Sequence, residues 1–301
     1  MRILVTPRSM SAAGSPALDR LTAAGYEIVT PSPGRQPTTE ELLEAVPGVV
    51  GWVAGVEPIG ADVLARADRL RVISRNGAGS DAIDARAAAD RGVLVLTARG
   101  ANAQGVAELA LALALMGLRG LPEAADALRA GTWRRSTGRE AAGRTLGIVG
   151  YGAIGRRLAG LARGLEMTVV AHDPFVTAAD VPLLPLDDLL RTSEVVSLHV
   201  PPSPGGPLLG AAELALLRDD VVLLNTARST LVDEAALLAE IRSGRIAFYS
   251  VDAFDREPPA PSELLREARV LPTPHLGAAT AESSRRAAEA AVDNLLAALA
   301  A

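Results

Sequence analysis

The sequence predicts an α/β chain of two domains, each built on parallel strands with helices on both faces. Three observations predict it. Short apolar runs, partly β-branched, alternate with helical patterns along the chain, and such alternation gives parallel sheets covered on both sides. A glycine-rich turn, Gly150-Tyr-Gly-Ala-Ile-Gly155, follows one apolar run and opens a helical pattern. The length, 301 residues, exceeds one average domain.

Through the first hundred residues, strands are predicted at Ile3–Val5, Tyr26–Val29, Val49–Val53, Val72–Ile73 and Val93–Leu96. Helical patterns lie between them at Pro16–Ala24, Thr39–Val46, Ala61–Ala67 and Ala82–Ala89. Pro31, Pro33, Gly34 and Pro37 mark a loop before the second helix. The piece Arg75-Asn-Gly-Ala-Gly-Ser-Asp81 follows the fourth strand. As a loop at a strand's carboxyl end it lies where ligands bind such sheets, and its backbone N–H groups could cradle a carboxylate. On its glycines alone, a turn chosen only for geometry explains it equally well.

Two helical runs follow, Gln104–Leu118 and Pro122–Gly131, and read as the crossing between domains. Glu108 interrupts the apolar run and is expected to cap or hydrogen-bond rather than catalyse. Trp133–Arg144 is polar and basic, a surface loop or edge. Beyond the glycine turn, strands are expected at Met167–Asp173, Glu194–Val200, Val221–Thr226, Ala247–Ala253 and Val270–Pro272. Helices are expected at Leu186–Thr192, Ala211–Leu217 and Glu234–Ser243. Pro201, Pro202, Ser203, Pro204, Gly205 and Gly206 form a stiff loop. A last helix starts near Thr280, with Ala287, Ala291, Leu295 and Leu299 on one face, and is expected to cross back onto the first domain.

Composition narrows the function. Hydrophobic content of 49% and charged content of 22% fit a soluble globular protein. A net charge of -5 without a basic cluster argues against nucleic acid. The absence of cysteine removes thiolate metal sites and disulfides. The run Val106–Leu118 is too short to cross a bilayer. The chain opens directly on a strand, with no signal peptide. A cytoplasmic enzyme or binding protein is the expectation, with no metal and no membrane partner.

Gly150, Gly152 and Gly155 have the spacing G-x-G-x-x-G. The first glycine allows a tight turn, the second lets backbone approach a pyrophosphate, and the third lets helix pack on strand. Ala153 and Ile154 begin a helix whose free N–H groups and dipole face the phosphates. Asp173 ends the next strand about twenty residues on, where an acid takes the ribose hydroxyls of NAD. Its charge would repel the extra phosphate of NADP.

A nicotinamide enzyme acting on an alcohol needs a proton acceptor, most often histidine, and there are three. His172 lies beside Asp173 on the nucleotide side. His199 ends a strand and reads, with Val200 and Pro201, as a wall of the adenine pocket. His275, in Pro272-Thr-Pro-His-Leu-Gly-Ala278, is favoured as the acid/base, because flanking prolines and Gly277 fix its backbone. A carboxylate should hold that imidazole. Glu257, in Asp252-Ala-Phe-Asp-Arg-Glu-Pro-Pro259, is the leading candidate, with Asp252 and Asp255 as rivals. Asp252 could instead accept from the nicotinamide amide. Arg228 follows Asn225-Thr-Ala at a strand's carboxyl end. Its planar fork suits a substrate carboxylate and polarises a carbonyl oxygen.

With these residues in this order, the chain resembles the D-isomer-specific 2-hydroxyacid dehydrogenases over nearly its full length. The matching stretches are Gly147–Arg156, Ser197–Pro201, Leu224–Leu237, Val251–Pro258 and Pro272–Glu282. The resemblance implies two Rossmann-like domains with a cleft between them. One is a discontinuous, flavodoxin-like substrate domain, residues 1–98 and 276–301. The other is an NAD-binding domain, residues 99–275. It implies Arg228, Glu257 and His275 as catalytic residues, NAD or NADP as hydride carrier, and a homodimer built on the cofactor domain. Thr226, Ala227, Asp252 and Gly277 join the glycine loop, Asp173 and His199–Pro201 in binding cofactor. Arg75, Asn76, Gly77 and Ala78, with Arg228 and His275, meet substrate.

The first half is most similar to short phosphoglycerate dehydrogenases, through Ala54-Gly-Val-Glu-Pro-Ile59, Val72–Asp84 and Ala101–Glu108. Arg75 matches an arginine that can meet a substrate phosphate. The implied reaction moves hydride between NAD and C2 of a D-2-hydroxy acid, 3-phosphoglycerate being the leading substrate. The alternatives are hydroxypyruvate or glyoxylate reduction, and a non-catalytic NAD-sensing protein. Ser229 stands where the family usually has glycine, Tyr249-Ser250 where it has two small apolar residues, and the loop Ser203–Pro207 lacks the usual threonines. Ala54 stands where some phosphoglycerate enzymes have a second phosphate-binding arginine. A formate or phosphite dehydrogenase is a further rival, against which Glu257 argues, since formate enzymes usually carry glutamine there.

Overall fold

A computed structural model describes residues 1–12, 15–202 and 205–301. They form two compact units, Met1–Asn102 with Thr280–Ala301, and Ala103–Ala279. Both junctions fall four residues beyond the breaks read from the sequence, at residue 102 against 98 and at 279 against 275. One helix begins at Ala103 and another is capped at Thr280, so the chain changes unit where a helix starts.

The first unit runs β1 (Arg2–Val5), α1 (Arg8–Ser11), α2 (Pro16–Ala23), β2 (Glu27–Val29), α3 (Thr39–Ala45), β3 (Val49–Ala54), α4 (Ala61–Arg66), β4 (Val72–Arg75), α5 (Ala85–Asp90) and β5 (Leu94–Thr97). Its five parallel strands lie in the order β2-β1-β3-β4-β5. Central β3 is buried at every position, as a strand covered on both faces must be. The start of α3 is a capping box: Thr38 accepts from the Glu41 N–H, and the Glu41 carboxylate accepts from the Thr38 N–H. Such a cap is worth about 1 kcal/mol. The short α1 is invisible to periodicity. Helix α5 begins at Ala85, not Ala82, because the Asp84 side chain caps it by accepting from Ala87 N–H at 2.9 Å.

The second unit runs α6 (Ala103–Arg119), α7 (Leu121–Arg129), β6 (Thr145–Val149), α8 (Ala153–Arg163), β7 (Thr168–His172), α9 (Leu186–Thr192), β8 (Val195–Leu198), α10 (Ala211–Leu214), β9 (Val221–Asn225), α11 (Glu234–Ser243), β10 (Ile246–Val251) and β11 (Val270–Pro272). Six parallel strands lie in the order β11-β10-β9-β8-β6-β7. The order reverses at β6, so the first strand in sequence lies inside the sheet and its carboxyl end opens the crevice of a doubly wound fold. Helix α6 belongs wholly to this unit and packs Ala107, Ala110, Leu113, Ala114 and Leu118 against Ile148, Leu158 and Phe248. Glu108 faces solvent and accepts from Gln104 one turn earlier, at 2.7 Å. Helix α10 stops at Leu214, three residues short of the expected end. Helix α7 buries none of its residues, and Leu121, Leu128 and Trp133 are 49%, 59% and 81% exposed. In the proline loop, Ser203 and Pro204 lie outside the described residues.

The chain then returns to the first unit as α12 (Ala281–Ala300), capped by Thr280, which accepts from the Ser283 N–H at 3.0 Å. Its face of Ala287, Ala291, Leu295 and Leu299 is buried. A side chain at Gly51 would come within 3.1 Å of Leu295 and 3.2 Å of Leu299, so the bare backbone there makes room for α12 on the sheet. Among the described residues no single helix is long and apolar enough to cross a membrane.

Candidate active site

Parallel strands put every carboxyl end of a sheet at one edge. In the second unit that edge carries Gly150 after β6, Asp173 after β7, His199 after β8, Arg228 after β9, Asp252 and Glu257 after β10, and His275 after β11.

The glycine turn is sterically required. Gly150 has φ +97°, and a Cβ there would lie 2.5 Å from the His199 carbonyl oxygen. A Cβ on Gly155 would lie 2.3 Å from the Gly150 carbonyl oxygen, so α8 could not settle on β6. A Cβ on Gly152 would meet no protein atom within 4 Å. The chain itself therefore leaves that space open. Gly152 is also the N-cap of α8 and supplies no side-chain cap, which leaves the first-turn N–H groups, including those of Ala153 and Ile154, for an anion. Glycine backbone, helix start and open space fit a dinucleotide pyrophosphate.

Asp173 accepts from Tyr151 N–H and Phe175 N–H, both at 2.9 Å, one on each carboxylate oxygen. Each oxygen keeps a second lone pair, as two ribose hydroxyls require. Tyr151, between two of the glycines, carries no periodic signal in the sequence. In the fold its hydroxyl donates to Asp180 at 2.5 Å, and Arg163 donates to the same carboxylate at 2.7 Å. Burial, then Asp180, push the tyrosine pKa up to about 12, while the tyrosine and Arg163 bonds hold Asp180 at about 2. Arg156 stacks over the Tyr151 ring, 4.7 Å from its centre, bracing the turn from the helix side.

His172 turns away from this edge toward the Leu184 carbonyl, 2.9 Å from its Nδ1. The His199 ring lies 2.9 Å from the Ser197 hydroxyl and 3.4 Å from that of Thr226. Loss of hydration pushes its pKa down to about 4, so it is a neutral wall at physiological pH. Val200 packs beside Gly150. Asn225 shapes the next turn: its side chain accepts from Ala227 N–H at 3.1 Å and donates to the Arg228 carbonyl at 2.8 Å. Arg228 leaves that turn partly buried, and its guanidinium donates to the Ala227 carbonyl at 2.7 Å.

His275 Nδ1 lies 2.9 and 3.0 Å from the two oxygens of Glu257. Neither rival acid takes that place. Asp252 is 1% exposed, and its carboxylate accepts from the Thr273 hydroxyl at 2.6 Å, Leu276 N–H at 2.7 Å and Gly277 N–H at 2.8 Å. Asp255 is exposed. His275 itself has φ +54°, a conformation uncommon for any residue with a Cβ; the Asp252 carboxylate holds the two backbone N–H groups that follow it, and the Asp252 carbonyl accepts from its own N–H at 2.9 Å. Burial would raise the Glu257 pKa, but bonds from His275 and Phe254 N–H, with the charges of His275 and Arg228, outweigh it and hold the group below the usual range. Arginine, glutamate and histidine thus form one electrostatic group within this unit.

In the first unit, Arg75 ends β4, and its guanidinium donates to the Asn76 carbonyl at 2.6 Å. The N–H groups of Asn76 and Gly77 donate to the Ala54 and Arg75 carbonyls at 2.8 and 2.9 Å. Both N–H groups are thus engaged within the chain. Glu57 is 1% exposed, accepts from the Thr6 hydroxyl and Gly55 N–H, and has its pKa raised by burial. One acid in a loop carries no pattern, so nothing in the sequence singles it out.

Residues 111–277 match the family model of the D-isomer specific 2-hydroxyacid dehydrogenase NAD binding domain. The chain belongs to the D-isomer specific 2-hydroxyacid dehydrogenase family. It is 37% identical to hydroxypyruvate reductase of Thermotoga maritima, across 82% of this chain and 84% of that protein. It is 40% identical to D-3-phosphoglycerate dehydrogenase of Mycobacterium bovis, across 88% of this chain and 52% of that protein. The chain thus spans about half the length of the phosphoglycerate enzymes it matches. The solved TT0316 protein of Thermus thermophilus superposes with a TM-score of 0.87 at 37% identity, covering 100% of this chain and 97% of that one.

Proposed function

We propose that this family member is an NAD-dependent oxidoreductase that moves hydride between nicotinamide and C2 of a D-2-hydroxy acid or its 2-keto partner. The observation that carries the reading is the His275–Glu257 pair at 2.9 Å with the Arg228 charge acting on the same carboxylate. NAD would be held at the glycine turn, Asp173, the His199–Pro201 wall, Thr226 and Ala227 and would supply the hydride-accepting ring, while the buried Asp252 carboxylate, expected from the sequence to accept from the nicotinamide amide, instead holds the Gly277 N–H. Arg228 binds the substrate carboxylate and polarises the C2 oxygen. His275 removes the hydroxyl proton through Nε2 during oxidation and returns it during reduction. Glu257 holds the ring by Nδ1, leaving Nε2 for substrate, and stabilises the imidazolium.

The substrate proposed first is 3-phosphoglycerate with its keto partner 3-phosphohydroxypyruvate, which the 40% identical relative supports. Hydroxypyruvate is the second reading, supported by the relative matched over most of its own length. Arg75, Asn76, Gly77 and Ala78 are proposed to contribute to substrate binding, as the resemblance implies. We also propose a cytoplasmic homodimer formed through the cofactor-binding unit. Leu121, Leu128 and Trp133, apolar and exposed on that unit, support it, since large exposed apolar groups in one region mark protein contacts.

The test is nicotinamide absorbance with 3-phosphohydroxypyruvate, hydroxypyruvate, glyoxylate and pyruvate, run with NADH and NADPH. Selective turnover of the phosphorylated acid supports the first substrate, and selective turnover of hydroxypyruvate the second. No turnover with any of the four rejects the enzyme reading. Asp173→Ala removes the ribose acceptor and the charge that repels a 2′-phosphate, so the NAD-to-NADP ratio of kcat/KM should fall by about tenfold or more. An unchanged ratio removes Asp173 from cofactor choice.

A further inference from the structure

The turn that carries Arg228 and the loop that carries Glu257 come from different strands, β9 and β10, yet they must hold a fixed geometry for one imidazole. Beyond the Asp252 N–H bond to the Asn225 carbonyl at the strand ends, two bonds join them among the described residues, both through Ser229. Its backbone N–H donates to the Ala253 carbonyl at 2.8 Å, a bond that any residue but proline could make. Its hydroxyl oxygen accepts from the Asp255 N–H at 3.1 Å, a bond that glycine or alanine could not make. One residue before Asp255, the Phe254 N–H donates to Glu257 Oε1 at 3.0 Å, and the same oxygen meets His275 Nδ1. The chain of contacts runs from Arg228 through its neighbour Ser229 to Asp255, Phe254, Glu257 and His275.

We infer that the Ser229 hydroxyl is a positioning group that ties the Arg228 turn to the Glu257 loop and so fixes Glu257 against His275. The residues from Asp255 to Pro258 are exposed, and no secondary structure holds them. The serine bond is therefore a large part of what restrains the Asp255 peptide. Loosening it weakens the Phe254 N–H bond to Glu257. The charged groups around that carboxylate are His275 and Arg228, with Asp255 and Arg256 beside it in the chain. Less support for the ionised carboxylate moves its titration upward, toward the ordinary glutamate range.

The inference rests on the proposed dehydrogenase activity, and the test separates the two. Ser229→Ala and Ser229→Thr are compared with the wild-type chain for 2-keto acid reduction across pH, and for deuterium uptake by the segment 253–258. With alanine, kcat/KM should fall about threefold to tenfold, the loss of one hydrogen bond. The acid limb of the profile should move up by a few tenths of a pH unit, and uptake in the segment should quicken. Threonine, which keeps the hydroxyl, should restore all three. An alanine variant with wild-type uptake, or with quickened uptake and an unmoved acid limb, overturns the positioning role. If the wild-type chain reduces none of the acids, the dehydrogenase reading fails instead. The uptake comparison then decides the tie alone, unchanged uptake overturning it.

Discussion

Replacing His275 by alanine should lower kcat for 2-keto acid reduction at least about a hundredfold, because a positioned acid/base group commonly contributes that much. The Kd for NADH should change little, since the glycine turn and Asp173 are untouched. The geometry makes the expectation specific. Glu257 occupies Nδ1 at 2.9 Å, so Nε2 is the nitrogen offered to substrate, and no other histidine sits at that point. His172 is turned to Leu184, and His199 is held neutral at the other side of the Arg228 turn. The pair also has a pH signature. The Glu257 pKa lies below the usual range in the fold. Its contribution to stability is therefore present above the unfolded pKa of the group and is lost as pH falls through the depressed folded value. His275→Ala should remove part of that acid-side dependence along with the activity. Stopped-flow or steady-state rates near those of the wild type would sink the assignment of His275 as the proton carrier.

Arg228→Ala should reduce kcat/KM by about a hundredfold to a thousandfold, the usual loss when one donor to a developing oxyanion is removed. In the proposed role arginine has two tasks that alanine cannot share, a paired bond to carboxylate and charge near the C2 oxygen. Lysine keeps the charge without the planar fork, so Arg228→Lys should fall between alanine and wild type. The fold should survive both changes, because Asn225 shapes the turn by accepting from the Ala227 N–H and donating to the Arg228 backbone carbonyl, which a new side chain leaves in place. Comparable kcat/KM for the arginine, lysine and alanine forms would remove Arg228 from substrate recognition.

The strands were legible because a parallel sheet buried on both faces writes itself as short continuous apolar runs, and β3, β8 and β9 are buried at every position. The glycine turn was legible because its three glycines answer to steric needs found in the fold, or to open space. Pairings across the sheet edge were not legible. Tyr151 and Asp180 are 29 residues apart, and Thr6 and Glu57 are 51 apart, with nothing local to link them. Glu257 led Asp252 as the partner of His275, but the sequence did not exclude Asp252, since both follow β10 within a few residues. Burial separates them, and burial depends on where the following turn is packed. The bond of the Asn76 N–H to Ala54, at the end of β3, was likewise a matter of a neighbouring strand rather than of the loop's own residues.

Asp252 gives the region a particular kind of dependence. The imidazole belongs to a short stretch after the outermost strand, yet its backbone hangs from a carboxylate rooted in the next strand inward, sealed from solvent. The outer strand therefore delivers the residue without deciding where it points. Anyone moving this chemistry to another scaffold has to transplant two neighbouring strand ends together. A graft of the histidine loop by itself would arrive without its hinge pin.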